Sequence, residues 1–401
     1  MRTVPDSPSR TESRALTVAL VTGLIAAIAG LLIFPNEGIP LSSQRTGSVP
    51  SSLLPVGEVS IGGISSLAAG TLGAASFALA YLHGNRRHAR WRRQGALRRL
   101  IDTVGVTLAG SVTAALLIAS TYTVMAMAFQ DLLLDRIAAA GLVAAGTAVA
   151  AYVLHLVASE LDTRQLASLL ALFLVAGVVA AMLTAENPGW WQDNFSALGI
   201  GTAPSARTFN LTIVIAGVVL MTLADYLTID LHPRGHHGRT VDDIRIVRWI
   251  LVVVGLALVG VGAVPINTLE TLHNAFSIVA LIGFEALFLV TPIVVRDLPP
   301  VFTATSFGFA VGLVLVVVLW VPVGYYNLTA TELIAMLMLF AWLVLLARNA
   351  AATPEAAAER AEHAIAQAEE AAAEAAAHGE AERRDGAALD PGHDGPVLKA
   401  G

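Results

Sequence analysis

The sequence predicts an all-α bundle of about ten transmembrane helices with both termini in the cytoplasm, and three observations carry that prediction. Of the 401 residues, 56% are hydrophobic and 13% charged, about half the charged share of an ordinary soluble domain. The apolar residues fall in repeated stretches of about twenty, the length a helix needs to cross a hydrocarbon layer of about 30 Å. The arginines collect in alternate connections, as they do in cytoplasmic loops. This balance excludes a soluble globular enzyme and a disordered chain. The lack of cysteine excludes disulfides, thiol catalysis and cysteine-liganded zinc or iron–sulfur sites. Lys399 is the only lysine, and alanine is abundant; this is the composition of a GC-rich genome and points to a bacterial host. The net charge of -6 reflects an acidic C-terminal tail, and no nucleic-acid partner or cofactor is implied.

Ten apolar runs are predicted to span, because a segment in lipid must satisfy its backbone hydrogen bonds within itself. They are Ala15 to Phe34, Val59 to Leu82, Val104 to Ala128, Ile137 to Val157, Leu166 to Leu183, Leu211 to Leu227, Trp249 to Val264, Ala275 to Val295, Val301 to Val321 and Ala330 to Leu346. The first follows Arg2, Arg10 and Arg14 like a signal peptide, but it is long for an h-region and has no small-x-small cleavage site, so it is read as an uncleaved span. Arg86, Arg87, Arg90, Arg92, Arg93, Arg98 and Arg99 fill one connection. With the N-terminal arginines, Arg164, Arg234, Arg239, Arg245, Arg248, Arg296 and Arg348 they lie on one face, against Arg45, Arg136 and Arg207 on the other. The rich face is read as cytoplasmic and the membrane as the bacterial plasma membrane. Arg86, Arg87, Arg90, Arg92 and Arg93 are expected to contact anionic lipid headgroups.

Four regions follow. Residues 1–14 form a cytoplasmic N-terminus, 15–165 a four-span region, 166–347 a six-span module, and 348–401 a cytoplasmic tail. In the tail, Thr353 and Pro354 begin an Ala/Glu helix that ends at Gly379, and a disordered end follows. Gly62, Ser66, Gly70 and Ala74 in the second span, and Gly308 and Gly312 in the ninth, are small residues at four-residue spacing. Such stripes pack helices closely, within one chain or in a homo-oligomer.

Chemistry-bearing residues concentrate in the last six spans. The connection after the fifth holds Trp190, Trp191, Gln192, Asp193, Asn194, Phe195, Ser196, Ala197, Leu198 and Gly199. Its tryptophans suit the membrane interface, and Asp193, Asn194 and Ser196 form a polar set able to line an outward-facing pocket. This loop, Phe209 and Asn210 opening the next span, and Leu272-His273-Asn274 opening a later one resemble a bacterial membrane family known as domain of unknown function nine-nine-eight. The resemblance covers about Leu166 to Leu346, implies a six-helix membrane module, and supplies no activity or site residues.

Glu270, His273, Asn274 and Ser277 are spaced to share a helical face near the outer surface. Glu285 follows about 18 Å deeper, where a carboxyl group costs about 2.5–3.5 kcal/mol and turns inward. Three functions compete for these residues. Glu270-x-x-His273 is half of a dimetal motif whose second copy is missing, so no metal is expected. An outward-facing pocket formed by Asp193 to Ser196 and the outer end of the span that carries His273, with the stripe down to Glu285 below it, suits binding, sensing or transport of a small or lipid-like solute, the leading expectation and a non-catalytic one. Ser196, His273 and Asp193 or Glu270 suit an envelope-lipid hydrolase or transferase on the outer face, although no Gly-x-Ser-x-Gly elbow is present. His155, His232, His236 and His237 read as packed or solvated, and Asp225 as a partner for an arginine of the loop that follows it.

Overall fold

In the computed structural model, which describes residues 8–36, 38–42, 59–85, 95–231, 241–295 and 298–350, the chain is an all-α polytopic membrane bundle. Ten described helices are long and apolar enough to cross a membrane. They are α1 (Pro8–Ile33), α2 (Ile61–Asn85), α3 (Ala96–Ala128), α4 (Arg136–Ser159), α5 (Thr163–Leu183), α6 (Pro204–Asp230), α7 (Val241–Ala263), α8 (Glu270–Val294), α9 (Pro300–Trp320) and α10 (Leu328–Ala350). Each matches a predicted span, and most run past its hydrophobic limits. Hydropathy marks only the stretch in hydrocarbon, whereas the backbone ladder continues into polar sequence until a cap or proline stops it.

The largest extension is at α3, whose 33 residues make a rod of about 50 Å. Arg98, Arg99 and Asp102 therefore lie on a helix, where the sequence reading places a connection. Asp102 is 1% exposed. Its Oδ1 accepts from Arg98 Nε at 3.2 Å and from the Thr222 hydroxyl at 3.0 Å. Arg98 also bonds Asp225 Oδ2 at 2.9 Å, and Arg248 bonds Asp225 Oδ1 at 2.9 Å. Asp225 thus takes its expected partner from the following segment, Arg248, and a second one from α3. Buried carboxylates are tolerable when each is paired and hydrogen-bonded in this way, and this network ties the start of α3 to the end of α6 and the start of α7.

Short contacts order the two ends of the bundle. Arg14 and His83 meet at 3.0 Å on the arginine-rich face. On the other face a two-residue bridge pairs Ile39 with Leu134 and Pro40 with Leu133, an element that no sequence pattern announces. Beneath it Phe34, Ile39, Leu41, Ile61 and Tyr122 form a small apolar cluster. Asp135 caps α4 by accepting from Ile137 and Ala138; the Ala138 and Ile137 amides hold its carboxyl below the usual carboxylate range. His155 is buried and lies 3.5 Å from Ser76 Oγ.

The large core runs through α2 to α10. Fully buried Trp342 packs on Phe288 and Phe302, and its indole donates to Ser306 Oγ at 2.8 Å. Glycines let backbones meet where α6 crosses α7: a Cβ at Gly255 would stand 2.7 Å from the Gly217 carbonyl. Gly62 packs on Tyr122, Gly70 on Ala115 and Gly312 on Met338, whereas Gly308 has nothing within 4 Å of a notional Cβ. The arginines at 45, 86, 87, 90, 92, 93, 234, 239 and 296, the histidines at 232, 236 and 237, and the tail from residue 351 lie outside the described residues.

Candidate functional site

On the arginine-poor face the connection between α5 and α6 folds back over the ends of two other helices, α8 and α10. α5 stops at Leu183, and the segment continues as two short 3-10 turns, Trp190–Gln192 and Phe195–Gly199. Phe195 anchors the second turn, edge-on to Trp190 at 5.9 Å and to Phe209 of α6 at 5.5 Å. Polar ties hold the rest. Asn210 donates to the Gly199 carbonyl at 2.9 Å, and Asn327 Nδ2 to the Trp191 carbonyl at 2.9 Å. Glu332 on α10 accepts the Phe195 amide at 2.6 Å. That carboxylate escapes the sequence reading because its role depends on α10 meeting a loop 137 positions earlier; the only local sign is an acid one turn inside an apolar span.

The turn carries Ser196 to His273. Ser196 Oγ lies 2.9 Å from His273 Nε2, and His273 Nδ1 lies 2.7 Å from the Val264 carbonyl oxygen. A carbonyl only accepts, so Nδ1 carries the proton and Nε2 presents a lone pair to the serine hydroxyl. The tautomer follows from the network. Local sequence explains the reach. Pro265 follows the end of α7, leaving the Val264 carbonyl without a helical amide to bond. The Pro265–Thr268 turn, closed by a 2.9 Å hydrogen bond, brings the first turn of α8 back beside it. Both side chains are enclosed, with His273 3% and Ser196 8% exposed. Chemically this is a hydroxyl hydrogen-bonded to a base whose far nitrogen is fixed by a third group, the arrangement that activates a serine.

The remaining predicted residues are distributed differently. Asp193, Glu270 and Asn274 are exposed, so the group that orients His273 is the Val264 carbonyl, in place of the expected Asp193 or Glu270. Ser277 donates back to the His273 carbonyl at 3.1 Å. Asn194 is half-buried, and its Oδ1 is enclosed without a hydrogen-bond partner. Glu285 is half-buried, with Oε2 enclosed and unpartnered. It borders the exposed stripe of Ile278, Ile282 and Leu289, whereas His273 shares the buried side of α8 with Ala280, Phe284 and Leu287. The single face expected to join His273 to Glu285 is therefore split around the helix. Among the described residues no group of three or more His, Asp or Glu could hold a metal ion.

Residues 168–349 match the profile of the family described as Protein of unknown function (DUF998), the family that the Trp190 to Gly199 loop resembles. The matched segment begins in α5, ends in α10 and contains Ser196, Val264, His273 and Glu332. No curated protein and no solved structure matches the chain. With ten apolar helices among the described residues the chain is an integral, multi-pass membrane protein, and its residues 168–349 are similar to that family.

Proposed function

We propose that the protein is a plasma-membrane enzyme that cleaves or transfers an acyl group of an envelope lipid at the extracytoplasmic face, with Ser196 as nucleophile and His273 as general base. The observation that carries this reading is the 2.9 Å contact between Ser196 Oγ and His273 Nε2, with Nδ1 held by the Val264 carbonyl. The orientation, with both termini in the cytoplasm, rests on the arginine asymmetry of the connections.

In the reaction Ser196 Oγ attacks the ester carbonyl carbon as its proton passes to His273 Nε2. The tetrahedral intermediate collapses, the bond to the leaving alkoxide breaks, and His273 returns the proton to that oxygen. Water or a second lipid hydroxyl then attacks the acyl-serine as His273 takes its proton; the bond between the acyl carbon and Ser196 Oγ breaks, and His273 returns the proton to Oγ. Water gives hydrolysis and a lipid hydroxyl gives transfer. Because Ser196 is 8% exposed, substrate enters when the 190–199 segment lifts, and the Glu332 and Asn327 hydrogen bonds are the ties that must yield. Transport of a solute along α8 would need a path from His273 to Glu285, and these residues sit on different sides of that helix.

The test is labelling of the full chain in detergent or liposomes with a lipophilic fluorophosphonate, followed by peptide mass spectrometry. Labelling at Ser196 is expected, absent in Ser196→Ala and at least about 100-fold slower in His273→Ala, the usual contribution of a general base. Labelling no faster at Ser196 than at other serines, or indifferent to His273, overturns the proposal.

A further inference from the structure

We propose that the Asn194 side-chain amide donates a hydrogen bond to the oxyanion that forms when Ser196 attacks its substrate, a catalytic role that rests on the Ser196 and His273 reading above. The attack places a negative charge on the former carbonyl oxygen, and neither member of the pair meets it, since His273 handles the proton. The neighbouring Phe195 and Ala197 amides are already bonded, to Glu332 and to the Asn194 main-chain carbonyl. A donor aimed at that oxygen in an enclosed site is usually the largest single contribution to such a reaction.

The backbone places Asn194 for this role. It holds the N-cap position of the second 3-10 turn in an extended conformation, φ -159° and ψ 165°, and makes no side-chain cap bond. An asparagine there ordinarily accepts an amide of the first turn through its side-chain oxygen. Here the Ala197 amide takes the main-chain carbonyl at 3.1 Å, and Oδ1 is left enclosed and unpartnered. Among the described residues Nδ2 makes no hydrogen bond either, and it is not enclosed. Successive side chains on extended backbone point about 180° apart, and one residue of a 3-10 turn adds about 120°. Ser196 therefore comes round to within about 60° of Asn194, while Phe195 between them turns away into Trp190 and Phe209. Cα atoms two residues apart are separated by at most about 7 Å, a gap that the carboxamide and the serine side chain can close around one acyl group. Donor and nucleophile ride on the same segment, so their spacing survives when residues 190–199 lift to admit substrate.

The experiment compares two reactions of the purified full chain in detergent. Phosphonylation of Ser196 by a lipophilic fluorophosphonate builds negative charge on a phosphoryl oxygen in the oxyanion position. Alkylation of the thiol in Ser196→Cys by iodoacetamide displaces iodide and builds no charge there. Asn194→Ala is expected to slow the first reaction about 100- to 1,000-fold, the usual value of one such donor, and to leave the second at the rate of Ser196→Cys alone. Asn194→Leu, close to asparagine in volume and without a donor, is read in its place if Asn194→Ala elutes as aggregate. Labelling of Ser196 at the wild-type rate in the Asn194 variant overturns the proposal and leaves Ser196 and His273 standing as the reacting pair. Equal slowing of both reactions also overturns it, because Asn194 would then only shape the turn. No labelling of Ser196 in the wild type overturns the serine reading itself, and this proposal with it.

Discussion

His273 holds its place through two hydrogen bonds of opposite sense, donating at Nδ1 and accepting at Nε2, while Ser196 depends on the backbone around it. The Phe195 amide bonded to Glu332 at 2.6 Å fixes the turn that aims the serine. Leaving a buried donor without its partner costs about 1–3 kcal/mol, so Glu332→Ala should speed amide exchange across residues 190–199 by about 5- to 100-fold with α6 and α8 unchanged. Hydrogen exchange read by mass spectrometry measures this. Unchanged exchange would mean that Asn327 and the Phe195 aromatic contacts hold the turn unaided. Ser196 and His273 are legible in the sequence as residue types able to work together. The Val264 carbonyl and Glu332 are not, since a carbonyl carries no residue signature and a carboxylate 137 positions away acquires meaning only through the fold.

Among elements, α3, α6 and α7 are joined by the Arg98, Asp102, Asp225, Arg248 and Thr222 network. Replacing Asp225 leaves two guanidinium groups facing each other at the membrane edge. Breaking a buried pair costs about 3–5 kcal/mol, and with Arg98 and Arg248 each about a third exposed, the lower end is expected. Asp225→Ala should therefore destabilise the detergent-solubilised protein by about 3 kcal/mol in thermal or denaturant unfolding. Arg98→Ala in that background should add less than it does alone, because the two share one interaction. Additive losses would show that the charges are independent. The sequence announces Asp225 and an arginine from its own connection. It conceals Arg98, because a charge cluster reads as loop until the helix it begins is seen to continue through it.

At the scale of the molecule, span number and helical class are legible because the solvent imposes them: twenty apolar residues without a charge have one stable form in hydrocarbon. Side-to-side arrangement is not, since in lipid the contacts come from small residues and a few polar groups spread along the chain, and Gly62 and Gly308 look alike although only Gly62 is packed. Orientation is a prediction of charge. The cysteine-free chain suits single-cysteine labelling: Gln192→Cys should react with an impermeant maleimide in intact cells, whereas Arg164→Cys should react only after permeabilisation. The reverse pattern would move the Ser196 site to the cytoplasmic face.

The pairing of Ser196 with His273 is tested most directly by Ser196→Cys, which places a single thiol beside the imidazole. Its rate of alkylation by iodoacetamide, followed against pH in the purified protein, should report a thiol ionising below about 7.5, against about 8.5 for an ordinary cysteine, and His273→Ala in the same background should restore the ordinary value. An ordinary profile in Ser196→Cys itself, or no difference when His273 is removed, would contradict the account.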